Sequence, residues 1–195
     1  EEWQSDRYNN TIKLSWDHQY AYHRGSGNIN LSLRSSTLGS DYDYSDLTLQ
    51  IINNHQLGKL DVRSRTYGRY GFGIDYADES ALYLAGGSPE EIVDNKYTRS
   101  RGFIDNSFLG YGSTTNHFQF GGGLNLRGYA GYFGVQETKD GAFVSIYKGS
   151  TGFSQSVELD FDRFVPLQPK AIKQYVHLDT YLFADAGIIN IRRSE

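Results

Sequence analysis

Residues 11–22 read Thr11-Ile12-Lys13-Leu14-Ser15-Trp16-Asp17-His18-Gln19-Tyr20-Ala21-Tyr22. Their period is two: Ile12, Leu14, Trp16, Tyr20 and Tyr22 fall on one side of an extended chain, and Lys13, Ser15, Asp17 and Gln19 on the other. The same alternation recurs outward from this stretch. After the turn-like Gly25-Ser26-Gly27, Ile29, Leu31 and Leu33 alternate with Asn30, Ser32 and Arg34. Leu47, Leu49 and Ile51 alternate with Asp46, Thr48 and Gln50, and Leu60 and Val62 with Asp61, Arg63 and Arg65. Further on, Val157, Leu159 and Phe161 interleave with Glu158, Asp160 and Asp162. No stretch sustains a helical repeat. Ser88-Pro89-Glu90-Glu91 alone carries a helix signal, a capping Ser with Pro at the first helical position, and predicts one short turn within a loop. The rest reads as antiparallel β.

A soluble two-layer sandwich and a membrane barrel share this alternation. Sandwich strands usually run about 5–6 residues, whereas several segments here run about 9–12, the length that crosses a bilayer when tilted. Tyr and Trp gather near the segment ends, at Trp3, Tyr8, Tyr20, Tyr22, Tyr42, Tyr44, Tyr67 and Tyr70, as interfacial girdles require. Connections alternate in length. Short ones are expected near 23–27, 54–58, 110–116 and 167–174, and longer ones near 37–44, 71–100 and 121–155. A weakly patterned strand near 101–110 keeps that parity. The sequence pattern therefore predicts an all-β chain and favours an antiparallel transmembrane β-barrel over a sandwich.

Composition narrows the function. The chain has 195 residues, 38% hydrophobic and 15% aromatic, and its longest apolar run is the five residues 81–85. A spanning helix needs roughly 20. With 19 basic and 23 acidic residues the net charge is −4, so no cationic surface for nucleic acid is implied. The absence of Cys removes disulfides, thiol catalysis and Cys-ligated zinc. There is no initiator Met, and Glu1-Glu2-Trp3 lacks the features of a signal peptide, so the sequence reads as an internal piece of a longer chain.

Residues 117–134 read His-Phe-Gln-Phe-Gly-Gly-Gly-Leu-Asn-Leu-Arg-Gly-Tyr-Ala-Gly-Tyr-Phe-Gly. The pair Gly121-Gly122 followed by Leu126-Arg127-Gly128-Tyr129 resembles the loop-six signature of the BamA-like outer-membrane superfamily, which includes the BamA and TamA assembly barrels and the two-partner secretion transporters. Downstream, Phe183-Ala184-Asp185-Ala186-Gly187 is similar to that family's Phe-x-Asp-Ala-Gly strand. The resemblance covers roughly residues 117–190, and it implies that the chain holds roughly eight strands as part of a larger, sixteen-stranded antiparallel transmembrane β-barrel. It implies an inward-folded sixth loop over about 121–155 whose Arg meets a carboxylate on the inner barrel wall, because a guanidinium withdrawn from water must be paired and hydrogen-bonded. By alternation Asp185 shares a face with Asp179, Tyr181 and Phe183. Arg127 is thus expected to pair with Asp185, with Glu158 and Asp160 as secondary partners. Gly121, Gly122, Gly123 and Gly128 would let the backbone turn close to the wall. The alternative is a solvated loop Arg beside a Gly-rich hairpin.

The resemblance further implies a cell outer-membrane location and assembly of outer-membrane proteins or export of polypeptides. Expected partners are outer-membrane lipids and lipopolysaccharide, client polypeptides, and periplasmic accessory domains or subunits. No catalytic centre, metal or cofactor is expected. None of His18, His23, His55, His117 and His177 makes the His-Glu-x-x-His spacing of a zinc protease. Asp41-Tyr42-Asp43-Tyr44-Ser45-Asp46 is dense in carboxylates but lacks the Gly and distal Glu of a calcium loop, and reads as a solvated hairpin tip. Two rivals stay open. The run Ala81 to Glu91 vaguely resembles barrels fused to zinc aminopeptidase domains, in which case the barrel is an anchor for an upstream enzyme. A soluble β-sandwich binding module is the other.

Overall fold

Alternation needs a partner strand before it becomes structure, and here the partners are mostly sequence neighbours. The computed structural model describes residues 6–84, 88, 90, 100–103, 117–119, 123–129, 135–137, 143–145, 148–161, 163 and 180–191. β1 (Thr11–Tyr22), β2 (Gly25–Ser36), β3 (Asp43–Leu57) and β4 (Leu60–Asp75) form successive antiparallel hairpins. Gly58, at φ +65°, opens the two-residue turn between Leu57 and Leu60, where a side chain would be strained. Five short strands follow: β5 (Leu82–Tyr83), β6 (Ser100–Phe103), β7 (His117–Gln119), β8 (Val135–Glu137) and β9 (Phe143–Ser145). β10 (Lys148–Asp160) and β11 (Tyr181–Ile191) complete the order. The main sheet runs β1-β2-β3-β4-β10-β11, with β5 also pairing β10.

Several expectations need correction. β4 pairs directly with β10, while β6 pairs with β7 and β8 with β9 in separate two-stranded sheets. The strand expected near 101–110 therefore has no place in the main sheet among the described residues. That stretch has no alternating face to offer, whereas residues 61–69 and 152–160 match pair for pair. The loop expected to reach residue 155 ends before Lys148, because 148–160 already alternates small polar residues with Phe153, Val157 and Leu159. Gly25 and Gly27 are not turn residues. They lie in β2 opposite Tyr22 and Tyr20, whose rings cover them so closely that any Cβ would collide. Among the described residues the sheet is open, with β1 and β11 at its edges.

The two faces have opposite surroundings. Ile12, Leu14, Trp16, Leu31, Leu33, Leu47, Leu49, Tyr70, Phe72, Phe153, Leu182 and Ile188 share one face and are exposed, Leu14 at 66% and Ile188 at 73%. The other face carries Ser32, Arg34, Asp46, Thr48, Tyr67, Arg69, Ser154, Ser156, Glu158 and Asp185. This polar face is covered over β2, β3, β4 and β10, where Asp46 is 3% exposed and Ser154 0%, while Lys13, Ser15, Asp17 and Gln19 of β1 are exposed. Its cover comes from residues 76–84 and 123–129. Leu82, Leu124 and Leu126 cluster there with Tyr67, and Tyr76 and Ala77 with Tyr42 and Tyr44. Burying each of those leucines contributes roughly 1.5–3 kcal/mol.

Space for this cover comes from side chains that are missing. A Cβ at Gly152 would stand 2.8 Å from Leu82 Cδ2 and 3.2 Å from Leu124 Cδ2, and one at Gly187 would stand 3.1 Å from Leu126 Cδ2. Gly68, on the apolar face, has only Phe153 Cδ2 at 3.7 Å. Gly152→Ala is expected to lower stability by about 1–3 kcal/mol through overpacking. Gly68→Ala is expected to change it by under about 1 kcal/mol. Denaturant midpoints of the two variants check the difference.

Candidate functional site

The site starts from the pleat of β11. Phe183 and Asp185, two residues apart, project from the polar face, and Glu158 of β10 stands directly opposite Phe183. An aromatic ring is thus flanked by two carboxylates, and a cation placed over it meets all three groups. Arg127 is that cation.

Residues 123–129 deliver it. Gly123 (φ +49°) and Asn125 (φ +51°) take left-handed conformations that fold the segment back on itself. Leu124 and Leu126 are buried in the cluster with Tyr67 and Leu82, and the Leu126 N–H donates to the Leu84 carbonyl at 2.9 Å. Arg65, on the polar face of β4, donates through Nη2 to the Gly123 carbonyl at 2.7 Å. A single 3-10 turn over Arg127–Tyr129 then begins, with the Tyr129 N–H donating to the Leu126 carbonyl at 2.9 Å.

From this position Arg127 grips Asp185 three times. Nε donates to Oδ2 at 2.8 Å, Nη2 to Oδ1 at 2.7 Å, and the backbone N–H to Oδ2 at 3.1 Å. Nη1 donates to Glu158, and Cζ lies 4.0 Å above the centre of the Phe183 ring. The fork-to-fork geometry fixes orientation as well as charge. The Arg127 side chain is 17% exposed and the Asp185 side chain 6%. The hydrogen bonds to Asp185 hold the guanidinium's pKa above its usual value, against the desolvation that lowers it. A permanently charged donor fixed to two carboxylates is suited to bracing a loop and offers no group for proton transfer.

Among the residues singled out from sequence, Leu126, Arg127, Asp185 and Glu158 meet here. Asp160 lies two residues beyond Glu158, opposite Tyr181, while the guanidinium bonds to Asp185 and Glu158. Tyr129 is exposed and stands outside the latch. Gly128 does not make the turn: a Cβ there would meet nothing within 4 Å, and the left-handed positions are Gly123 and Asn125. Gly121 and Gly122 lie outside the described residues.

A second charged cluster was not read from sequence. Arg34 of β2 donates to Asp46 of β3, its direct cross-strand neighbour, through Nε at 2.9 Å, and ion-pairs with it through Nη2 at 2.8 Å. Arg34 also pairs with Glu90, and the Tyr76 hydroxyl donates to Asp46 at 3.1 Å. Tyr42, Tyr44 and Asp46 are therefore buried, contrary to a solvated hairpin tip over residues 41–46. Their stretch carries the polar-face alternation into the covered end of the sheet. Within the expected turn over residues 88–91, Ser88 is buried and Glu90 faces Arg34, while Pro89 and Glu91 lie outside the described residues. An opposite-charge pair at facing positions of adjacent strands was the available signal.

The chain matches no protein-family profile and no curated protein.

Arg127→Ala leaves Asp185 with an uncompensated, largely buried charge, and is expected to cost about 3 kcal/mol. Arg127→Lys keeps the charge without the fork and should fall between Ala and the native protein. Denaturant midpoints, together with protease cleavage rates within residues 121–150, check both.

Proposed function

We propose that the chain is part of an antiparallel transmembrane β-barrel of the BamA-like superfamily in a Gram-negative outer membrane. In this reading the barrel assists insertion of outer-membrane proteins or translocation of polypeptides, and residues 123–129 brace its lumen. The observation that carries the reading is the inversion of the sheet, in which the apolar face is uncovered and the polar face is covered over its central strands β2, β3, β4 and β10. Against water, each half-exposed Leu or Ile forgoes roughly 1 kcal/mol, so a face of such side chains forgoes on the order of 10 kcal/mol. Against lipid tails the same face is at home.

Other features support it. Strands of 11 to 16 residues are long enough to cross a hydrocarbon layer at a tilt. Trp16, His18, Tyr20 and Tyr22 stack along β1 from mid-strand to its short turn, and Tyr22 stacks on His55, with centroid spacings of 5.6, 6.3, 6.3 and 5.6 Å. The turn end of this row, Tyr20, Tyr22 and His55, suits a headgroup boundary, and Trp16 falls nearer the middle of the strand. In hydrocarbon every backbone donor needs a partner, so β1 and β11 are read as pairing with further strands of a closed barrel. The Arg127–Asp185 latch lies where the superfamily resemblance calls for it, which supports an inward-folded sixth loop. A sandwich module would instead cover the apolar face with a second sheet.

Insertion tests the reading through Trp16, which is 54% exposed on the apolar face. In a Trp3→Phe variant reconstituted into vesicles, lipids brominated on their acyl chains should quench most of the Trp16 emission. Emission that stays unquenched and responds to iodide in the aqueous phase would count against a membrane barrel.

A further inference from the structure

β4 and β10 meet at a seam that no tight turn closes. β1 to β4 are joined by short connections, but β4 and β10 are separated by residues 76–147. Their backbone ladder runs from Asp160 opposite Asp61 to Gly152 opposite Arg69 and stops there. β4 continues beside β3 to Asp75, while β10 continues beside β11 across an irregularity between Gly149 and Thr151. At the break, a side chain replaces the ladder: Thr151 Oγ1 accepts from the Gly71 N–H and donates to the Gly71 carbonyl, each at 3.1 Å. Beyond it β5 becomes β10's partner, Leu82 opposite Gly149 and Tyr83 opposite Lys148. β4 and β10 still touch at Gly71 and Ser150, and beyond that contact a piece of the covering segment takes over β10's edge.

That segment holds both sides. Towards β10 it has the β5 ladder, an ion pair of Asp78 with Lys148 at 3.0 Å, and Leu82 seated over Gly152. Towards β2, β3 and β4 it works through Ser80. The Ser80 carbonyl accepts from Arg69 Nη1 at 3.1 Å, and its hydroxyl lies 3.2 Å from the Tyr44 hydroxyl and donates to Glu90 at 2.6 Å. Glu90 then pairs with Arg34, which is also held by Asp46. None of these contacts uses Arg127.

We propose that residues 76–84, with Ser88 and Glu90, are a staple across the β4–β10 seam, and that this seam is where the sheet parts when the staple lets go. The two coverings of the polar face then have different fastenings: 123–129 holds β10 and β11 through the Arg127 ion pairs and reaches β4 through Arg65 and Tyr67, while 76–84 with Glu90 ties β10 to β2, β3 and β4 without Arg127. The proposal does not depend on the membrane reading, because the seam and the staple lie within the sheet whatever solvent meets its apolar face.

Hydrogen exchange read by mass spectrometry tests it on the full chain, kept in detergent or buffer as its solubility requires. In an Asp78→Ala/Glu90→Ala variant, peptides covering 66–71 and 150–155 should exchange about tenfold faster, while peptides within 16–31, which touch neither substituted residue, keep their native rate. Unchanged exchange at the seam, or an equal rise in all strands, would overturn the proposal. A charge swap guards against simple misfolding: Asp78→Lys alone should deprotect the seam, and Asp78→Lys with Lys148→Asp should protect it again. Failure of the swapped pair to restore protection would also count against the staple.

Discussion

A guanidinium removed from water must be paired, and the pairing of Arg127 with Asp185 and Glu158 organises one end of the covered face. The requirement runs through each level of structure. The two-residue period of β11 brings Phe183 and Asp185 onto one side, and antiparallel register sets Glu158 against them. Left-handed backbone at Gly123 and Asn125 turns the cation inward, and Leu124 and Leu126 hold the turn against Tyr67 and Leu82. The latch and the small apolar cluster therefore depend on each other. Without the cluster the Arg has no fixed approach, and without the latch the leucines cover a wall whose charge is unbalanced.

The wall itself is unusual in where its core lies. A soluble sheet buries its apolar face, but the central strands of this one bury Ser, Thr, Arg and Asp beneath the chain's own covering segments, and Leu, Ile, Trp and Phe stay outside. Polar groups under cover must satisfy one another, which is why both covering segments are secured by ion pairs and hydrogen bonds. The glycines at 152 and 187 show the same economy of space, since leucines from the covering segments occupy what their side chains would fill.

The strands and their facing were legible because alternation is a local property. The period at 11–22, 29–34 and 46–51 gives β1, β2 and β3 and says which residues share a side. The meeting of Arg127 with Asp185 and Glu158 was legible by combining that facing with the Leu126-Arg127-Gly128-Tyr129 resemblance. The direct pairing of β4 with β10 was not, because it spans more than seventy residues and nothing local announces it. Gly25 and Gly27 misled for a related reason: their demand is for close approach by Tyr22 and Tyr20, which looks in sequence like a demand for a turn. The Arg34–Asp46–Glu90 cluster needed the β2–β3 register for its first pair and the return of the chain for its third member.

The orientation of the two faces is the central claim, and a cysteine-free chain allows it to be measured one residue at a time. Single cysteines along residues 12–17 can carry a spin label in the reconstituted protein, with accessibility read against oxygen, which concentrates in lipid, and a water-soluble nickel chelate. The account predicts a period of two, with oxygen favoured at 12, 14 and 16 and the nickel chelate or burial at 13, 15 and 17. A flat profile, or labels at 12, 14 and 16 that meet the nickel chelate freely, would contradict it.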